Sequence, residues 1–358
     1  MEKHIYSAID ANINRCLEGL RVCEDIMRFC LKNTGYSSRF KELRHRVAAE
    51  AVRFPHSALL FGRDVDADSQ KFIDLETEKS RGSLEALLSA NLHRATEALR
   101  SLEEFGKLIY PDKKENPFQE IRFSLYSLER DAGSALLRLG KCDRFRRSLY
   151  AIVDSAHLKG GRYYDAAEKM IRGGASIIQL RMKNISKKEI MAQAKDLALL
   201  CRNENVLFIV NDYPDIAVLT GADGVHLGLN DLDVRDARRL VPPDMIVGLT
   251  AYSFESVYQI LEQGPDYIAI GPIYDTIYDS GTAALPLKGM GSDVLGRMKD
   301  AARIPLVAIG GITAENAGEA ISAGADSVAV VSYIYQSGGI EKNCRSLVNA
   351  IGRAGSHE

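Results

Sequence analysis

The sequence predicts two unlike parts: an all-α segment over residues 1–140 and an α/β part over 146–358 folded as a (β/α)8 TIM barrel. Three observations carry this. In the second part short β-branched apolar runs alternate with helical stretches, the rhythm of parallel βα units. Eight such runs fall within about 210 residues, the lower end of what a barrel of this type needs. The first 140 residues instead keep apolar spacings of three and four. An open doubly wound sheet is the competing architecture, but no G-x-G-x-x-G follows the first run to support it.

In the helical part, Ile13, Leu17 and Leu20 share one face, as do Val22 and Ile26, then Leu84, Leu87 and Leu88, and then Leu92, Thr96 and Leu99. Pro55, Pro111 and Pro117 punctuate the helices, and residues 63–68 read as an exposed acidic loop. Cys16, Cys23 and Cys30 recur every seven residues and are expected on one buried stripe. An internal repeat aligns 11–25 with 90–104. Its shared residues are mostly polar: Asn12 and Asn91, Arg15 and Arg94, Glu18 and Glu97, Arg21 and Arg100, Glu24 and Glu103. Core packing alone does not account for such a match, so the two helices either form ion pairs about a pseudo-two-fold axis or line a polar site.

The strand candidates of the second part are 150–153, 176–180, 206–210, 224–227, 246–249, 267–270, 306–309 and 327–331. Each is apolar on both faces, as expected where helices cover the outside and side chains fill the inside. The charged stretch 141–147 is the expected boundary between the parts.

Composition narrows the function. Hydrophobic residues at 46% leave enough apolar material for two cores, and the net charge is −2. The balance is even in both parts, with 22 basic and 22 acidic residues in 1–140 and 24 against 26 in the rest, so neither carries the basic excess of a nucleic-acid or anionic-membrane binder. No C-x-x-C pair suggests a structural zinc, and no Ser/His/Asp order or P-loop appears. The first residues lack the apolar run of a signal peptide, no stretch approaches a membrane span, and a reduced cytoplasmic setting is expected.

In a barrel of this type the chemistry sits at the C-terminal ends of the strands, so the residues after each apolar run are the candidates. The second run ends in Gln179, Arg181 and Lys183 on one face. Two fixed cations there call for an anion; Arg offers a fork to phosphate oxygens and Lys a point charge. The third run ends in Asn211 and Asp212, and the fourth is followed by Gly228 and Asp231. Two carboxylates on neighbouring loops could hold one Mg²⁺, completed by water and phosphate. The seventh run ends in Gly310-Gly311 and the eighth in Val331-Ser332, where such barrels bind phosphate through backbone N–H groups. The expected site thus has two anion-binding poles. His226, inside the fourth run, reads as packed and hydrogen-bonded rather than catalytic.

Together the run 179–183, Asn211-Asp212, the run 221–231, Gly271-Pro272 with Thr276, and the run 308–313 resemble thiamine-phosphate synthases. The resemblance implies joining hydroxymethylpyrimidine diphosphate to a thiazole phosphate with release of pyrophosphate, assisted by Mg²⁺. By position, Gln179, Arg181, Lys183, Asn211 and Thr250 would contact the pyrimidine diphosphate, with Arg181, Lys183 and Thr250 as the catalytic set. Asp212 and Asp231 would hold the metal. Thr276, Tyr278, Gly311, Val331 and Ser332 would hold the thiazole phosphate. The stretch 276–279 departs from the family pattern, placing Asp279 where a diphosphate-binding lysine is usual, and Lys288 is the expected replacement from the same loop.

The helical part resembles the small hydroxymethylpyrimidine-phosphate kinase domain fused to some of these synthases. The repeat and Arg44-His45-Arg46 carry the likeness, which implies ATP as a partner although the sequence holds no nucleotide fingerprint. A homo-oligomer is compatible with this reading. Two other readings compete. A thiazole tautomerase would carry a histidine where Tyr252 stands, and a non-enzymatic phosphate-binding protein would make Asp279 unremarkable.

Overall fold

Helix-forming patterns over the first part become five helices among the described residues: α1 Glu2–Asp25, α2 Thr34–Ala51, α3 His56–Gly62, α4 Leu84–Ile109 and α5 Pro117–Cys142. The computed structural model describes residues 2–63, 82–111, 116–158, 160–279 and 284–354, except the side chains of residues 278, 279, 284 and 300. The acidic stretch expected at 63–68 therefore lies, beyond Arg63, outside the described residues. Asn33 and Ser83 cap α2 and α4, each side chain accepting a backbone N–H three residues on, at 3.0 and 3.1 Å.

The chain divides into two compact units, residues 1–136 and 137–358, and the division falls inside α5 rather than at 141–147. In the first unit α1 buries Ile9, Ile13, Cys16, Leu20 and Cys23 in one core with Leu88, Leu92, Ala95, Leu99 and Leu102 of α4. The two helices cross closely at Gly19, where a Cβ would lie 2.8 Å from the Asn91 carbonyl oxygen. Cys30, expected on the same stripe as Cys16 and Cys23, is exposed. The π-helical turn Ile26–Cys30 widens the helix after Asp25 and rotates the following residues off the seven-residue register.

The polar repeat also acquires a physical reason. Glu24 is 3% exposed and accepts Arg44 Nε of α2 at 3.0 Å; its counterpart Glu103 is 2% exposed and accepts Arg122 Nε of α5 at 2.7 Å. Arg21 and Arg100 flank these carboxylates at 3.8 and 3.3 Å. Each repeat therefore buries one glutamate that is neutralised by the next helix. Asn12 and Asn91 each donate to the carbonyl four residues back, at 2.8 Å.

In the second unit eight parallel strands close a barrel: β1 Ser148–Asp154, β2 Ile177–Arg181, β3 Leu207–Asn211, β4 Gly224–Leu227, β5 Ile246–Ala251, β6 Tyr267–Ile270, β9 Leu306–Ile309 and β10 Ser327–Val330. The antiparallel hairpin β7 Thr276–Asp279 and β8 Ala284–Leu287 is inserted after β6. Around the barrel stand α6 Tyr163–Arg172, α7 Lys187–Asn203, α8 Pro214–Thr220, α9 Val234–Leu240, α10 Phe254–Glu262, α11 Asp293–Ala301, α12 Ala317–Ser322 and α13 Ile340–Arg353.

Strand alternation sorts the two layers. Leu149, Ala151, Val153, Ile178, Leu180, Phe208 and Val210 face the helices. Tyr150, Ile152, Ile177, Leu207, Ile209, Ile246, Tyr267, Ala269, Val307 and Ala329 fill the inside. Phe145, just before β1, is fully buried, with its ring centroid 4.6 Å from that of Tyr267. The end of α5 belongs to this unit: Arg138 pairs with Asp266, and Lys141 with Asp244 at 3.3 Å. No helix among the described residues is long and apolar enough to cross a membrane.

Candidate active site

The interior face of β2 carries Gln179 and Arg181 to the mouth of the barrel, where a cavity of about 510 Å³ opens. Gln179, Arg181, Lys183, Asn211, Asp212, Asp231, Thr250, Thr276, Gly311, Val331 and Ser332 all line it. Lys288 does not, although its neighbour Leu287 does. Of Tyr278 and Asp279 only the backbone, in β7, is described; their side chains lie outside the described residues.

At one pole the charges are interlocked. Asp154, fully buried at the end of β1, forms a close ion pair with Arg181. Its Oδ1 also accepts the Ala156 N–H at 2.8 Å and stands 3.1 Å from His157 Nδ1. Burial alone would raise the Asp154 carboxyl, but the His157 hydrogen bond and the Arg181 charge outweigh it and hold the group below the usual carboxylate range. Lys183 forms a close ion pair with Asp212. Asp212 has φ +67°, a left-handed conformation uncommon outside glycine, and its N–H donates to the His226 carbonyl at 2.9 Å. Asp231 Oδ2 accepts the Gly228 N–H at 2.7 Å. Burial pushes the Asp231 carboxyl up to about 6, with the adjacent Asp212 carboxylate adding to the rise against the pull of Gly228 N–H and Lys183.

Two carboxylates this close repel each other unless a proton or a cation sits between them. Their hard oxygen donors suit Mg²⁺. Among the described residues no third His, Cys, Asp or Glu joins them, which fits a cation that keeps water and phosphate in its shell rather than a protein cage. Asp212 and Asp231 are therefore a fitting donor pair for a divalent ion.

The other pole is made of backbone. Gly310 and Gly311 have φ +93° and +67°. A Cβ on Gly310 would lie 2.6 Å from Pro272 Cα, and one on Gly311 2.7 Å from the Asp275 carbonyl oxygen, so both conformation and close approach require glycine. Asn316 pins the turn, accepting the Thr313 N–H at 2.8 Å and donating to the Gly311 carbonyl at 2.9 Å. Val331 and Ser332 complete this side.

On the cavity floor His226 is buried, with Nδ1 2.9 Å from Tyr267 Oη and Nε2 2.7 Å from Thr250 Oγ1. Burial pushes its imidazolium down to about 4 against the attraction of Asp212, so the ring is neutral. His226 is thus packed and hydrogen-bonded as the sequence reading has it, and it also lines the cavity.

Sequence reasoning missed Asp154, His157, Tyr150 and Tyr252 as site residues; the first anchors Arg181 and the others line the cavity. For Asp154 the signal was present: it is the residue immediately after the first apolar run. His157 sits one turn further on, stacked on Tyr335 at 5.6 Å, and no sequence pattern marks it.

Residues 149–334 match the family model described as thiamine monophosphate synthase, and residues 7–131 match the ThiD2 family. A thiamine-phosphate synthase of Nostoc sp. is 34% identical over 94% of this chain and 91% of its own length. One of Synechocystis sp. is 36% identical over 92% and 91%. Among solved structures, the thiamine phosphate pyrophosphorylase from Pyrococcus furiosus superposes with a TM-score of 0.52 at 29% identity, covering 59% of this chain and 98% of that one.

Proposed function

The chain belongs to the thiamine-phosphate synthase family, and from that premise we propose that its barrel joins an aminopyrimidine diphosphate to a thiazole phosphate in the one cavity, with Mg²⁺ held by Asp212 and Asp231. The observation that carries this reading is that a single cavity is lined both by Arg181, Lys183 and the two carboxylates and by the Gly310-Gly311 turn with Ser332, two unlike sets of groups each suited to an anion.

Gln179, Asn211 and Thr250 take the pyrimidine substrate beside Arg181 and Lys183, which hold its diphosphate. Thr276, Gly311, Val331 and Ser332 take the thiazole phosphate. A metal ion held by Asp212 and Asp231 would supply charge neutralisation for the diphosphate and for departing pyrophosphate. Arg181 and Lys183 stabilise the same charge as the bond from the pyrimidine methylene carbon to the diphosphate oxygen breaks. The thiazole nitrogen lone pair then forms the new C–N bond to that carbon. No proton has to be removed from the nitrogen, so the step needs no general base. The ion pairs to Asp154 and Asp212 hold Arg181 and Lys183 in place before substrate arrives.

Tyr278 is assigned to the thiazole side and Asp279 to the place of a diphosphate-binding lysine, while Lys288, the replacement named from the sequence, is not among the residues that line the cavity. Tyr252 in place of a histidine argues against a tautomerase. The match of residues 7–131 to the ThiD2 family supports a further role for the helical unit: transfer of phosphate from ATP to the pyrimidine phosphate, supplying the diphosphate that the barrel consumes.

The test is formation of thiamine phosphate and pyrophosphate from the two purified substrates over a Mg²⁺ titration, in the unaltered protein and in Asp212→Asn and Asp231→Asn. The unaltered protein should need the metal, and each variant should lose most activity at low Mg²⁺ while staying folded. Unaltered turnover in either variant at low Mg²⁺ would reject the metal assignment.

A further inference from the structure

A row of buried hydrogen bonds crosses the floor of the cavity and joins two of the residues assigned to the pyrimidine. Gln179 Nε2 donates to Tyr150 Oη at 2.8 Å, Tyr150 Oη lies 3.0 Å from Tyr267 Oη, Tyr267 Oη 2.9 Å from His226 Nδ1, and His226 Nε2 2.7 Å from Thr250 Oγ1. Four strands besides β2 build it: β1 gives Tyr150, β6 Tyr267, β4 His226 and β5 Thr250. Gly248 of β5 stands in register between His226 and Tyr267, and a Cβ there would lie 2.1 Å from Tyr267 Cζ. The glycine therefore lets the Tyr267 ring pass over β5 to reach the imidazole.

Counting protons gives the row a direction. Each phenol has one O–H, the neutral imidazole has one N–H and one lone pair, and the Gln179 nitrogen can only donate. Tyr150 accepts from Gln179, so its own proton goes to Tyr267. The Tyr267 proton then goes to His226 Nδ1, which leaves the ring proton on Nε2, donated to Thr250 Oγ1. The opposite tautomer would make Tyr267 donate back to Tyr150. That would leave the Tyr150 proton with no acceptor among the described residues, which offer its hydroxyl only Gln179 and Tyr267. With the first direction, the groups left to face the cavity are the Gln179 carbonyl oxygen, an acceptor, and the Thr250 hydroxyl proton, a donor.

We propose that Tyr150, Tyr267 and His226 are positioning residues that fix the hydrogen-bond polarity of Gln179 and Thr250, so that the pocket selects an amino-substituted pyrimidine over its oxo analogue. An aminopyrimidine edge offers an exocyclic N–H and a ring nitrogen lone pair. The oxo analogue reverses both, presenting a carbonyl and a ring N–H. The proposal rests on the reading that Gln179 and Thr250 contact the pyrimidine.

The experiment compares the unaltered chain with Tyr150→Phe, Tyr267→Phe and Gln179→Ala in the synthase assay with Mg²⁺. It reads KM for each substrate, the kcat/KM ratio for the amino and oxo pyrimidine diphosphates, and Tm. Both Tyr→Phe variants should raise KM for the pyrimidine diphosphate and cut the amino-over-oxo preference about tenfold, the effect of one misdirected buried hydrogen bond. KM for the thiazole phosphate should stay within about twofold, since the remote pole keeps its contacts. In the unaltered protein, ¹⁵N spectra should show His226 protonated on Nε2, with the signal assigned by its loss in His226→Asn. Unchanged KM and unchanged preference in both Tyr→Phe variants, whatever their Tm, would overturn the proposal, as would a proton on Nδ1. If Gln179→Ala weakens the pyrimidine diphosphate and the Tyr→Phe variants do not, the relay alone fails. If Gln179→Ala changes nothing, the placement of the pyrimidine fails and takes the relay with it. Should the variants not fold, the tautomer in the unaltered protein decides.

Discussion

Asp154→Asn is the substitution that most sharply separates an orienting role from a packing role. Asp154 is fully buried and has the same shape as asparagine, so the change removes one charge and turns one acceptor oxygen into an N–H donor. In the folded protein that carboxylate accepts from Arg181, His157 and the Ala156 N–H. Asparagine can keep a single oxygen for the Ala156 side, and its amide then points N–H groups at Arg181. The loss of a charge-assisted hydrogen bond costs about 1.5–3 kcal/mol, and an Arg181 no longer held at the diphosphate should cost a similar amount in the transition state. The expected fall in kcat/KM is therefore roughly tenfold to a few hundredfold. The assay is thiamine phosphate formation at saturating thiazole phosphate, with Tm measured alongside. The Asp154 carboxyl is held below its ordinary value of 3.8, so it contributes stability above that pH and loses it as pH falls through the folded value. The Tm gap between the two proteins should accordingly be widest near neutrality and shrink in acid. A kcat/KM within about twofold of the unaltered protein would refute the argument that Asp154 orients Arg181.

Two further outcomes follow from the fold. A fragment of residues 137–358 should fold and retain synthase activity, whereas 146–358 lacks Phe145, whose buried ring touches Tyr267. Loss of such a side chain costs about 3–5 kcal/mol, so calorimetry should place its Tm roughly 6–20 °C lower. Equal Tm values would remove Phe145 as a structural plug. For His226, the folded value of about 4 against an ordinary 6.5 means that between them the unfolded chain binds a proton which the folded chain does not, so stability falls as pH drops through that window. The full contribution is up to about 3 kcal/mol. His226→Asn lacks it, so denaturant titrations should find the variant's deficit smaller near pH 5 than near pH 7, and a deficit that grows in acid would contradict a neutral buried ring.

Much of the barrel was legible because its strands are buried on both sides and read as apolar runs of fixed length. All eight expected runs overlap barrel strands, and those at 224–227, 267–270 and 306–309 coincide with β4, β6 and β9. The cations of β2 were legible because Gln179, Arg181 and Lys183 alternate, and alternation fixes a common face. The hairpin β7–β8 was not: its short strands, with Ile277 and Leu285 exposed, lack the burial that gives a strand its pattern. Asp154 was overlooked because the first run was ended at Val153, although the rule applied to the other strands nominates it. The row through Tyr150 and Tyr267 was hidden because a tyrosine inside an apolar strand is indistinguishable from packing until its hydroxyl partner on a distant strand is known; 117 residues separate these two. In the helical unit the repeat was visible, but the arginines that neutralise Glu24 and Glu103 lie on other helices, 20 and 19 residues away, beyond any local pattern. The boundary was drawn at 141–147 from charge alone, while the charges of Arg138 and Lys141 are spent on Asp266 and Asp244 of the barrel unit.

The central claim is that one cavity holds two separate anion sites, a carboxylate and cation pole that needs Mg²⁺ and a glycine pole that does not. Titration calorimetry with pyrophosphate and thiazole phosphate tests it directly. Pyrophosphate should bind only with Mg²⁺ present, thiazole phosphate should bind with or without it, and each should still bind when the other is saturating. Mutual competition between the two ligands, or pyrophosphate binding indifferent to Mg²⁺, would contradict the account.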